Sequence, residues 1–172
     1  MRSSLFLVGP MGAGKTTVGR QLAGLRGMEF VDVDHAVEER TGVDIPFIFE
    51  KEGEAGFRQR ESQLIDELTQ RPGIVLATGG GAVMASENRD HLGARGFVIY
   101  LCASVEAQWR RVRRSTHRPL LSHPNPKGRL RELMEQRDPL YREIADLVVI
   151  SRRQSARALA GQIDQQLEAL GC

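Results

Sequence analysis

The sequence predicts an α/β fold: one domain with a parallel sheet covered by helices on both faces. Three observations lead there. Short apolar runs alternate with longer segments whose apolar residues recur at helical spacing. The first run passes directly into a glycine-rich turn that opens a helix. The chain has 172 residues, 41% of them apolar and 27% charged, which suits one packed core and leaves little room for a second.

Ser4 to Gly9 (SLFLVG) is continuously apolar and ends in glycine, as a strand buried on both faces does. Beyond the turn, Val18, Leu22 and Leu25 mark a helix, and Glu29 to Asp32 reads as a second strand. Residues 34–41 and 45–70 read as helices, with breaks near Thr41-Gly42 and near Gly53. Gly73 to Thr78 is a third strand, running into Gly79-Gly80-Gly81. Phe97 to Cys102 and Asp146 to Ile150 supply the fourth and fifth. A last helix carries Ala156, Leu159, Ala160, Ile163, Leu167 and Leu170 on one face. Ser115 to Gly128, with three prolines and two histidines, is too long for a simple connection and suggests a functional lid.

Composition excludes several classes. The formal net charge is +2, which argues against a dedicated nucleic-acid binder, and no apolar run approaches the roughly 18 residues that span a bilayer. Met1-Arg2-Ser3-Ser4 leads straight into the first strand without the pattern of a signal peptide. Cys102 and Cys172 match no metal or disulfide spacing, so a reduced, cytoplasmic protein is expected. The small net charge conceals an asymmetry. Residues 29–67 hold twelve acids and four bases, whereas residues 89–157 hold fifteen bases and seven acids. Arg110, Arg111, Arg113, Arg114 and Arg118 form a run without an acid, either a solvated face or a contact for a phosphate chain.

Gly9-Pro10-Met11-Gly12-Ala13-Gly14-Lys15-Thr16 satisfies G-x-x-x-x-G-K-[ST]. This composition produces such a match by chance in about three chains per thousand of this length. The motif follows a strand and opens a helix, as its mechanism requires. Glycines let backbone N–H groups converge on phosphate oxygens at a helix N-terminus, where the macrodipole favours negative charge. Gly12, Ala13, Gly14, Lys15, Thr16 and Thr17 are therefore the expected nucleotide-binding residues, with Lys15 on the β- and γ-phosphates and the Thr16 hydroxyl on Mg²⁺. Lysine is informative here, because only Lys15, Lys51 and Lys127 stand against 21 arginines.

No N-K-x-D motif is present, which argues against a GTP-binding switch, and oligomeric motors usually need more chain. A small kinase needs an acceptor site, a metal-binding carboxylate and an arginine-bearing lid. Asp32 and Asp34, two residues apart, are expected on one side of a strand end, Asp32 holding Mg²⁺ through water and Asp34 accepting a proton from the attacking hydroxyl. Capping the next helix is the alternative role for Asp34. Glu61 falls on the apolar stripe of Phe57, Leu64, Ile65 and Leu68, three residues from Arg58, within pairing reach. Arg137 falls on the stripe of Leu130, Leu133 and Met134 and needs a partner, either Glu143, Asp146 or the carboxylate of a ligand. Arg58 and Arg137 together suit bidentate capture of a carboxylate. Gly79, Gly80 and Gly81 permit close backbone approach and offer N–H donors.

With these residues assembled, the chain resembles the shikimate kinases along nearly its whole length. The resemblance rests on the phosphate loop, Asp32-Val33-Asp34, Phe57-Arg58 with Glu61, and Thr78-Gly79-Gly80-Gly81-Ala82-Val83. Arg118-Pro119-Leu120-Leu121 and Arg137-Asp138-Pro139-Leu140-Tyr141 complete it. It implies an NMP-kinase-like, three-layer α/β/α fold with sheet order 2-3-1-4-5. It further implies ATP- and Mg²⁺-dependent phosphorylation of the shikimate 3-hydroxyl on the route to chorismate, by a monomer without nucleic acid or membrane. The substrate-binding region is then about residues 33–61 and the lid about 113–125. By matching position, Asp34 and the Gly79–Gly81 turn bind shikimate hydroxyls and Arg58 and Arg137 its carboxylate. Lys15 and Arg118 stabilise the transferring phosphoryl group, Arg111 stacks on adenine, and Arg153, next to Arg152, lies in the adenine-binding loop. Arg110, Arg113 and Arg114 match no such role and are expected to be solvated surface. A gluconate kinase and a nucleotide-dependent nucleic-acid-binding protein are the competing readings.

Overall fold

The computed structural model describes residues 3–114 and 122–172. Five parallel strands stand in the order β2-β3-β1-β4-β5, as the resemblance implies. The strands are β1 (Leu5–Val8), β2 (Glu29–Asp32), β3 (Ile74–Ala77), β4 (Phe97–Cys102) and β5 (Leu147–Ile150). The helices are α1 (Lys15–Arg26), α2 (Val33–Thr41), α3 (Ile45–Thr69), α4 (Ser86–Arg95), α5 (Val105–Val112), α6 (Pro126–Ile144) and α7 (Ala156–Ala169), with a 3₁₀ turn at Ala82–Met84.

Strand alternation divides the core into two layers. Phe6 and Val8 of β1, with Ile74, Leu76, Val98 and Tyr100, face α2, α3, α4 and α6. Leu5 and Leu7, with Val75, Ile99 and Leu101, face α1 and α7. All four residues of β1 are buried, so the strand that launches the phosphate loop is anchored from both sides. Because β1 is central and its neighbours lie on either side, the order reverses beside it, and the carboxyl ends of β1, β2 and β3 border one crevice. Among the described residues, no helix is long and apolar enough to cross a membrane.

Two sequence expectations need correction. Strand β2 stops at Asp32, and Asp34 lies in the first turn of α2, so strand alternation does not relate the two carboxylates. The cap of α2 is Asp32, whose carboxylate accepts the His35 N–H at 3.1 Å. Residues 86–95 and 105–112, for which the apolar pattern gave no helix, are α4 and α5. The expected break at Gly53 is real: its φ of 71° interrupts α3, which otherwise runs from Ile45 to Thr69.

Candidate active site

Two adjoining clefts lie over the carboxyl ends of the strands. The first, of roughly 240 Å³, is lined by Gly12, Gly14, Lys15, Thr16 and Thr17 of the loop, together with Asp32, Asp34, Gly79, Gly80 and Arg111. Gly14 caps α1 with a φ of 90°, a left-handed conformation that a side chain would oppose. The first turn of α1 therefore presents its N–H groups to the cleft, as an anion site requires. Ala13 is buried within the loop. Lys15 Nζ donates to the carbonyls of Gly9 (2.6 Å) and Pro10 (2.8 Å), folded over the loop that carries it. Arg111 donates to the Gly12 carbonyl at 2.5 Å and to Ser151 Oγ at 3.2 Å, tying α5, the loop and the end of β5 together.

Thr16 Oγ1 donates to Asp32 Oδ2 at 2.8 Å. One carboxylate thus holds the phosphate loop with one oxygen and caps α2 with the other. A hydroxyl and a carboxylate at a phosphate site are hard oxygen donors that suit Mg²⁺, with phosphates and water completing its shell. Among the described residues no group of three or more His, Cys, Asp or Glu could hold a metal by itself.

The second cleft, of roughly 370 Å³, shares Met11, Asp34, Gly79 and Gly80 with the first and continues to Arg58, Glu61, Gly81 and Arg137. Ile45, Phe49, Phe57 and Leu133 give it apolar walls, and Glu54, His123 and Arg129 add charge and polarity at its edge. Arg58 Nη1 donates to Glu61 Oε1 at 2.8 Å, and Glu54 lies 3.5 Å from Arg58 Nε. Glu61 is fully buried, and that burial pushes its carboxyl above the ordinary range against the opposing pull of Arg58. Burial also works against charge on Arg58, but Glu61 and Glu54 outweigh it and raise its pKa.

Arg137 corrects another expectation. Glu143 pairs with Arg89, and Asp146 accepts the Val98 N–H, so neither serves Arg137. Its Nε is buried without a hydrogen-bond partner. Burial lowers its pKa, Tyr141 opposes that shift, and the nearby Arg58 adds to it. Two guanidiniums converging on one cleft repel each other, and an anion between them relieves that repulsion.

Tyr141 has no counterpart among the sequence-derived site residues. It lies one turn beyond Arg137, fully buried, and its hydroxyl donates to the Gly80 carbonyl at 2.5 Å. A third cleft, of roughly 630 Å³, borders Arg111 and is lined by Arg110, Arg113, Arg114, Arg152 and Arg153. Arg110, Arg113 and Arg114 are exposed, as expected, and line this cleft together with residues after β5, a juxtaposition that needs β5 beside β4 and is invisible locally. Arg152 and Arg153 are both exposed there, and Arg118 lies outside the described residues.

A phosphate loop on the central strand of this sheet, beside a cleft with paired arginines and a carboxylate at their junction, defines a P-loop small-molecule kinase. The family model described as "Shikimate kinase" matches residues 11–168. The shikimate kinase of Halorhodospira halophila is 58% identical over 166 residues, which is 96% of this chain and 94% of that protein. That of Methylococcus capsulatus is 56% identical over 170 residues, 99% of this chain and 95% of the relative. The solved structure of the shikimate kinase from Acinetobacter baumannii in complex with shikimate superposes with a TM-score of 0.96. It is 52% identical and covers 98% of this chain and 94% of its own. The chain belongs to the shikimate kinase family.

Proposed function

We propose that this chain transfers the γ-phosphoryl group of ATP to the 3-hydroxyl of shikimate, giving shikimate 3-phosphate and ADP. One observation carries the geometry of that reading: Asp34, Gly79 and Gly80 line both the phosphate cleft and the cleft that contains Arg58 and Arg137. A phosphate held by the loop and a carboxylate held by the arginines then face each other across Asp34. Family membership favours shikimate over gluconate as the acid. The Acinetobacter relative, whose structure contains shikimate, supports the same choice.

The loop N–H groups and Lys15 bind the phosphate chain, and Lys15 leaves its two backbone carbonyls to do so. Thr16 directly, and Asp32 through water, would hold Mg²⁺, which would supply neutralisation of the phosphate charge. Arg58, oriented by Glu61, and Arg137 fix the substrate carboxylate, while Asp34 and the N–H groups of the triple-glycine turn orient its hydroxyls. Asp34 receives the proton of the attacking hydroxyl as the phosphorus–oxygen bond to ADP breaks. Arg111 and Arg153 border the adenine, and Arg118, in a lid of about residues 113–125, meets the transferring phosphoryl group. The proposed enzyme is a monomer that uses neither nucleic acid nor a membrane. Dependence on ATP supports a cytoplasmic setting.

An ADP-release assay with shikimate, quinate and gluconate side by side tests the reading. Turnover with shikimate well above the other two is expected. Equal turnover with gluconate would overturn it.

A further inference from the structure

The geometry points to Tyr141 as a positioning residue: its hydroxyl pins the triple-glycine turn to the helix that carries Arg137, so one O–H group sets the spacing of two parts of the acid cleft. The inference rests on the proposed shikimate reading for its kinetic consequence, though not for its geometry.

The turn after β3 is held from behind along its length. The Gly79 carbonyl accepts the Ala82 N–H, and the Gly81 carbonyl accepts the Met84 N–H. Asn88 Nδ2 donates to the Ala82 carbonyl at 2.9 Å, and Arg89 Nη1 to the Val83 carbonyl at 2.7 Å. Among the described residues, the Gly80 carbonyl alone in this turn depends on a residue from α6, and that residue is Tyr141, 61 positions away. The N–H groups of Gly80 and Gly81 donate to no acceptor among the described residues. Tyr141 is also electrostatically coupled to Arg137, which lies on the same helix and lines the same cleft.

The ring is fixed independently of its hydroxyl. Tyr141 packs on Tyr100 at a centroid distance of 4.9 Å, and both rings are fully buried. Tyr100 directs its own hydroxyl to Asp138 at 2.6 Å and does not touch the turn through it. The two tyrosines therefore offer a matched pair of deletions. Tyr141→Phe releases the Gly80 carbonyl, whereas Tyr100→Phe removes a hydroxyl that bonds Asp138 of α6 and leaves the turn alone.

The experiment compares both variants by steady-state kinetics, thermal melting and amide exchange over residues 79–82. Tyr141→Phe is expected to raise the KM for shikimate roughly five- to ten-fold, leave the KM for ATP unchanged and speed exchange in the turn. Tyr100→Phe is expected to lower the melting temperature to a similar degree with neither KM moved. Equal effects of the two variants on the shikimate KM, or unchanged exchange in the Tyr141→Phe turn, would overturn the inference. If the unaltered protein does not phosphorylate shikimate, the functional reading fails, and the exchange comparison alone still decides the positioning role.

Discussion

Arg58 lies so close to Gly81 that a Cβ on that glycine would sit 2.3 Å from Nη2 and 2.7 Å from Cζ of the guanidinium. No side chain fits there while Arg58 keeps its place against Glu61. The need is for space alone, because Gly81 has an ordinary φ of −92°.

Gly81→Ala should therefore damage recognition rather than folding. The KM for shikimate is expected to rise at least about ten-fold as Arg58 is displaced, with the melting temperature nearly unchanged. A variant with ordinary kinetics would show that Arg58 finds an equivalent position.

Arg137→Ala should mainly raise the KM for shikimate, by roughly ten- to a hundred-fold, because a carboxylate partner is present in ground and transition states alike. Arg118→Ala should instead lower kcat, on the order of a hundred-fold, since its partner charge develops during transfer. Steady-state kinetics with each substrate varied in turn separates the two patterns. An unchanged shikimate KM in the first variant would remove Arg137 from the acid site.

Asp32→Asn separates metal binding from capping. Asparagine caps helices as well as aspartate, so the His35 N–H keeps an acceptor and the melting temperature should hold. Loss of the negative charge beside Thr16 should raise the Mg²⁺ concentration for half-maximal activity about ten-fold. Excess EDTA should abolish turnover of the unaltered enzyme, and added Mg²⁺ should restore it.

Glu61 gives a pH signature. Its carboxyl is raised in the folded state by burial, so the fold binds its proton more tightly than the unfolded chain does. That contribution to stability is complete below the ordinary value of 4.5 and is lost as pH rises through the folded value. Relative to Glu61→Gln, the unaltered protein should lose stability as pH rises above 4.5. Urea midpoints across that range measure the slope. A flat or opposite trend would mean that pairing with Arg58 outweighs burial.

Local chemistry made the phosphate loop readable, because eight consecutive residues carry both its geometry and its donors. The five strands were readable to within a residue or two at their ends, the buried β1, β3 and β4 as unbroken apolar runs. Helix α4 was not, because only Asn88 and Leu92 of its ten residues are buried and its remaining surface is polar or small. The strand-to-helix switch at Asp32 escaped period-two reasoning because a cap acts within three residues and overrides alternation. Arg137 was recognisable as a charge on an apolar stripe. Its neighbourhood was not, since it depends on a glycine turn far away in sequence. The basic cleft likewise exists only once β5 pairs with β4.

The chain's single tryptophan, Trp109, packs in a small cluster with Val112 and Leu130, beside Met11 of the phosphate loop and Leu133 of the acid cleft. An indole at that seam is a built-in fluorophore. Its emission is expected to change when ligand binding moves that cluster, and titrations of nucleotide and acid on the unlabelled protein would measure the change.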